Sequence, residues 1–290
     1  MQSYKTGVLL VVTAGMVWSL MGLCIRMIGE ATTWQILFYR SAGMVPVLLG
    51  FIALRSGGTS LLRMTRVGRA GIVGGLGLVA AFAGAIFAIQ ATTIANAVFL
   101  FAAAPFLTAL LAFALLGERV RSATWVAIGI ATFGVVLMVR EGLTVGAAGG
   151  NLAALISALG FACFTVSLRW GRQEDMTPAV VLGALFSMAV ALAVSTWQGG
   201  GLRVSLADGA LALAMGAVLL AGGMALYTLG SRVIPAAETA LLSTVEILLA
   251  PIWVWLFLGE TATVGTFIGG AVVLTAVAFN AVSGARVPPA

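Results

Sequence analysis

The sequence predicts an all-α polytopic membrane protein, with ten transmembrane helices in two inverted five-helix repeats and both termini cytoplasmic. Three observations carry that prediction. Of the 290 residues, 61% are hydrophobic and only 8% are charged, against about 25% charged in ordinary soluble domains. The charges are too sparse and too clustered to cover a water-facing surface. The apolar residues instead fall into runs of about 20, the length that crosses a bilayer as a helix, and basic residues collect in alternate connections between the runs.

Ten spans can be drawn, at 7–27, 34–54, 70–89, 95–116, 122–139, 149–169, 178–197, 209–230, 236–258 and 262–283. The first has only Lys5 before it, which resembles a signal peptide. It is longer than a signal core and is not followed by a small-x-small cleavage region and a soluble domain, so it reads as a span. With the N-terminus inside, the inner segments hold Lys5, Arg55, Arg63, Arg66, Arg69, Arg119, Arg121, Arg169, Arg172, Arg232 and Arg286. The outer segments hold only Arg26, Arg140 and Arg203, with Arg40 inside the second span. Missing or adding one span would scramble this split, which places both termini inside.

The same distribution narrows the function classes. A net charge of +6 would suggest a nucleic-acid partner in a soluble protein, but here the basic residues set orientation, and no nucleic acid is expected. Cys24 and Cys163 both lie inside spans, so neither a structural disulfide nor a metal site is expected. There is no histidine, no phosphate loop, no HExxH and no Ser/His/Asp set. The expectation is no enzyme chemistry and no cofactor, and the chain carries no nucleotide-binding domain for ATP-driven transport. The lipid bilayer is the expected surrounding partner, and oligomeric state is not legible.

The segment 96–118, NAVFLFAAAPFLTALLAFALLGE, lies over 238–260, ETALLSTVEILLAPIWVWLFLGE. At nearly the same offset Ala14–Trp18 lies over Ser157–Phe161, and Arg26 over Arg169. This divides the chain into repeats 1–142 and 143–290, five spans each. An odd number of spans turns the second copy upside down, which places Glu118 inside and Glu260 outside. Inverted repeats are the usual architecture of alternating-access transporters, with a ligand site near the midplane.

Ten spans in two halves, with Pro105…Leu116-Gly117-Glu118 in one and Glu246…Leu258-Gly259-Glu260 in the other, resemble the EamA-type members of the drug/metabolite transporter superfamily. The resemblance covers nearly the whole chain. Where the family commonly has a proline just after the position of Glu246, this sequence has Ile247, and its proline comes at Pro251. Within the family the chain looks most similar to YddG-type amino-acid exporters. The resemblance implies a secondary transporter in the cytoplasmic (inner) membrane that exports small metabolites, amino acids first among them, by alternating access. Export of a nucleobase or drug-like compound is the alternative, and a non-transporting membrane assembly protein is another.

Glu246 is the sharpest candidate residue, since an ionisable group inside a span normally faces the protein interior or a wet cavity. Thr239, Ser243 and Glu246 share one helical face. That stripe could meet a zwitterion's amine or pass a proton, which makes protons a candidate coupling ion; a neutral Glu bonded to a neighbouring helix is the competing reading. Glu238, just after Pro235, reads as a helix N-cap, as does its counterpart Asn96. Pro46, Pro105 and Pro251 fall inside spans and are hinge or static-kink candidates, each freeing a carbonyl four residues back. Arg40 either snorkels to the headgroups beside Tyr39 or contacts a substrate carboxylate. Trp18, Tyr39, Tyr227 and Trp253 are the aromatic lining candidates, while Trp34, Trp170 and Trp197 read as interfacial belt residues. Trp253 and Trp255 are two apart and cannot face one cavity. Glu118 and Glu260 are assigned to loop geometry and gating contacts, and the Gly- and Ala-rich spans to close helix packing.

Overall fold

In a bilayer only a helix or a closed barrel satisfies every backbone N–H and C=O without water, and here the apolar runs wind into helices. The computed structural model describes residues 4–56, 68–144, 147–171, 177–230, 242 and 245–285. Among the described residues every regular element is helical. The order is α1 (Tyr4–Met27), α2 (Thr33–Ser56), α3 (Gly68–Ala91), α4 (Ile94–Phe101), α5 (Ala104–Leu116), α6 (Ser122–Thr144), α7 (Ala148–Trp170) and α8 (Thr177–Trp197). Then α9 (Leu206–Ala214) runs through a π-helical segment (Met215–Gly222) into α10 (Gly223–Gly230), followed by α11 (Val245–Leu258) and α12 (Val264–Ala285).

With α4–α5 and α9–α10 each taken as one apolar segment, eight segments are long and apolar enough to cross a membrane. Val245–Leu258 and Val264–Asn280 are shorter apolar helices. The expected ninth span, 236–258, is therefore described as continuous helix only from Val245; Thr239, Ser243 and Glu238 lie outside the described residues.

Two elements differ from the sequence reading. Pro105 does not sit inside a continuous helix. α4 stops at Phe101, and Pro105 stands in the first turn of α5, where its missing N–H has no intrahelical partner to lose. Pro46 and Pro251 do lie inside α2 and α11. The expected eighth span contains the π-helical turn, which an unbroken apolar run does not announce.

The packing mixes the halves. α3 lies along α7 and α8, α4 and α5 touch α7, α1 touches the π-helical segment, α10 and α11, and α2 touches the π-helical segment. Exchanging each segment for the one five places away maps α3 on α7 to α10 on α1, α3 on α8 to the π segment on α2, and α5 on α7 to α11 on α1. The pairs α2 on α8 and α6 on α12 map onto themselves. Glycines permit these crossings. A Cβ at Gly43 would strike the Leu213 carbonyl, and one at Gly216 the Arg40 carbonyl, so α2 meets α9 and the π segment backbone to backbone.

Candidate functional site

The two Leu-Gly-Glu endings fold alike, and the glycine is the reason. Gly117 and Gly259 take φ values of 67° and 66°, the left-handed region that favours glycine just past a helix end. The following amides then turn back to the helix: Glu118 N–H donates to Ala112 O at 3.3 Å and Glu260 N–H to Val254 O at 3.2 Å. Each glutamate is left at the lip of a helix end, aimed sideways.

Both aim at an arginine of the other repeat. Arg26 Nε donates to Glu260 Oε2 at 2.9 Å, and Arg169 Nη1 to Glu118 Oε2 at 2.8 Å. Arg26 and Arg169 are the residues the repeat alignment superposes, as are Glu260 and Glu118, so one pairing occurs twice with the repeats exchanged. The two pairs lie at opposite ends of the bundle. Arg26 also donates to Thr92 O at 2.8 Å, just past the end of α3, whereas Ser167, two residues before Arg169, faces Gly74 near the start of α3.

The two ion pairs are not equally exposed. The Arg26 and Glu260 side chains are 27% and 19% exposed, those of Arg169 and Glu118 52% and 44%. Glu260 Oε1 also accepts the Ile94 N–H at 2.7 Å, placing its charge at the N-terminus of α4, where the helix dipole favours an anion. Further ties surround this end. The Asp208 carboxylate accepts the N–H groups of Gly29 and Glu30, both at 3.2 Å. Gln35 Nε2 donates to Gly201 O and Arg203 O at 3.2 and 3.0 Å, and Tyr39 O–H to Leu202 O at 2.8 Å. At the Arg169 end the described residues add Thr124 to Asn280 at 2.8 Å.

Between the ends, α1 is the hub. Trp18 stacks at a tilt on Tyr227 with centroids 5.5 Å apart and points its indole N–H at Leu220 O, 3.5 Å away. Ser19 accepts the Trp253 indole N–H at 2.8 Å. Met21 Sδ lies 3.6 Å from Arg40 Nη1, and the Phe82 ring centroid is 4.9 Å from Arg40 Cζ. Trp18, Tyr227, Trp253 and Arg40 thus gather around about one turn of α1. Glu246 precedes Trp253 by seven residues on the same face of α11, about 10 Å nearer the Arg169 end.

Arg40 does not snorkel. The residue is 2% exposed, with Met21 of α1 and Phe82 of α3 packed against its guanidinium. Tyr39 turns away from it to the Leu202 carbonyl and serves the Arg26 end instead. Trp255 is exposed while Trp253 points inward, as their spacing requires. Pro251 and Glu260 line a common cavity of about 210 Å³ with Ala95, Val254 and Phe267, so a bend at Pro251 would move the helix end that carries Glu260. Ser19, Met21, Phe82 and the π segment were not among the sequence candidates; none is charged, and none stands out in an apolar run.

The EamA-like transporter family model matches this chain twice, at residues 5–140 and 148–282. The pseudopaline exporter CntI from two strains of Pseudomonas aeruginosa is 28% identical to it over 281 residues, covering 94% of each chain. A solved crystal structure superposes with a TM-score of 0.66 at 18% identity, covering 98% of this chain and 100% of that one, a likeness in fold. With both halves matched, the chain belongs to the EamA-like transporter family.

Proposed function

We propose that the protein is a secondary exporter of a small organic solute, working by alternating access between the halves 1–142 and 143–290. The observation that carries this reading is the repeated ion pair, Arg26–Glu260 at one end and Arg169–Glu118 at the other. Two equivalent cross-repeat latches at opposite ends are what a transporter needs if it opens one end while closing the other. In this account the halves are inverted five-span repeats in the cytoplasmic membrane with both termini inside. The basic-residue distribution supports that orientation, and the repeat-exchanged packing supports the relation between halves. The Arg26 end is then external, and its ion pair is the less exposed of the two.

Export and a small organic solute are supported by the relation to the pseudopaline exporters. Amino acids, implied by the resemblance to YddG-type exporters, enter as one substrate class to test beside pseudopaline. Glu246 is the candidate for proton coupling. The test is flux into proteoliposomes holding this chain alone, with and without a pH gradient. Saturable flux without ATP supports the reading; a folded sample silent for both classes contradicts it and favours a non-transporting assembly role.

A further inference from the structure

We infer that Arg40 is the recognition site for a carboxylate on the transported solute, which makes the substrate class a small organic acid or zwitterion with an apolar body. The inference rests on the transport reading above and deepens it.

Arg40 is almost wholly buried, yet its Nε and Nη2 have no hydrogen-bond partner among the described residues. Nη1 meets only Met21 Sδ, a weak acceptor, and the flat face meets the Phe82 ring. The two unpaired nitrogens are significant as a pair. Nε–H and one Nη2–H form a single edge of the guanidinium and point the same way, matching the two oxygens of a carboxylate. A buried arginine that served the fold alone would be expected to have this edge satisfied by an acid or by carbonyls. Here the weak edge is filled and the strong fork is left over.

The surrounding backbone points to the same place. Gly216 packs so closely on the Arg40 carbonyl that a Cβ would overlap it, and Gly216 lies in the π-helical segment. Four residues on, Leu220 of that segment meets the Trp18 indole, which in turn stacks on Tyr227. π-helical turns are frequent at functional sites. Met21, which meets Nη1, and Trp18 stand three residues apart on α1, so the aromatic wall lies about 5 Å along that helix from the unpaired cationic fork, a spacing suited to a carboxylate head and an apolar or aromatic body. The other basic residues of the described helices stand within about one turn of a helix end. A single positive charge suits a monoanionic carboxylate better than a phosphate dianion.

The test compares the full chain with Arg40→Met and Arg40→Lys. Uptake of phenylalanine, leucine and phenylacetate into proteoliposomes is measured against uptake of their primary amides, and thermal stability is measured in detergent. The expected result is a preference for acid over amide of about 10- to 100-fold in the wild-type protein, the range for a charge-assisted hydrogen-bond pair. Both variants lose that preference, and Arg40→Met is no less stable than wild type, because it removes an unpaired buried charge. Equal flux of acid and amide in the wild type overturns the site and leaves transport standing. No flux for any member of the panel, in a folded sample, overturns both. Lost stability in Arg40→Met with the preference retained in Arg40→Lys assigns the charge to the fold and overturns the site as well.

Discussion

Glu260 holds Arg26 at 2.9 Å across 234 positions of sequence, and the same carboxylate receives the first amide of α4. One side chain therefore ties the end of α11 to the ends of α1 and α4. Its repeat counterpart, Glu118, pairs with Arg169 and is much more exposed. The two latches are built alike but sit in different dielectric surroundings, and that difference sets their relative strength.

Arg26→Gln should therefore loosen its end more than Arg169→Gln loosens the other. A half-buried charge-assisted bond contributes about 1.5–3 kcal/mol, an exposed pair about 0–1 kcal/mol. The native Cys24, half-buried two residues before Arg26, is a reporter. In a Cys163→Ser background its maleimide labelling should rise by about tenfold or more in Arg26→Gln and change little in Arg169→Gln. Equal labelling in the two variants would contradict the asymmetry.

The pairing was half legible in the sequence. The repeat alignment already put Arg26 over Arg169 and Glu118 over Glu260, and glycine before each glutamate marked a helix end. Which arginine meets which glutamate depends on how the halves pack, and no spacing within one repeat carries that information. Which of the two readings of Arg40 the fold favours was hidden for a similar reason. Its place near a span end beside Tyr39 made an interfacial route plausible, but Phe82 is 42 positions away and covers it. The π-helical turn reads as ordinary apolar sequence, and the break before Pro105 is a choice between kinking and stopping that the proline alone does not decide.

Trp253 and Ser19 fasten α11 to α1 at mid-depth. Trp253→Phe and Ser19→Ala should each cost about 1 kcal/mol, and the double variant should cost little more than either alone. Thermal melts of the four proteins in a double-mutant cycle measure this. Additive losses would mean that the hydrogen bond is not made in the bilayer protein.

Gly43 and Gly50 lie in the same helix and should respond oppositely to alanine. A Cβ at Gly43 strikes the Leu213 backbone, whereas one at Gly50 meets nothing within 4 Å. Gly43→Ala should destabilise by about 1–3 kcal/mol through overpacking. Gly50→Ala should be neutral or stabilising by up to about 1 kcal/mol, as expected for helix propensity. Folded yield and melting temperature separate them, and equal tolerance would mean that α2 and α9 do not meet at this distance.

Glu246→Gln tests coupling. If Glu246 carries the transported proton, the variant should lose the stimulation of flux by a pH gradient while keeping solute exchange at zero gradient. Stimulation that survives in Glu246→Gln would return this acid to a structural role within α11.

The most direct measurement of the alternating-latch account is to bridge each end covalently in turn. Arg26→Cys with Glu260→Cys, and separately Arg169→Cys with Glu118→Cys, are made in a background without Cys24 and Cys163, and joined by a bis-methanethiosulfonate reagent in proteoliposomes. The account predicts that either bridge alone stops net flux and that reduction restores it, because each end must open once per cycle. Transport at the unbridged rate with either end verifiably bridged would contradict it.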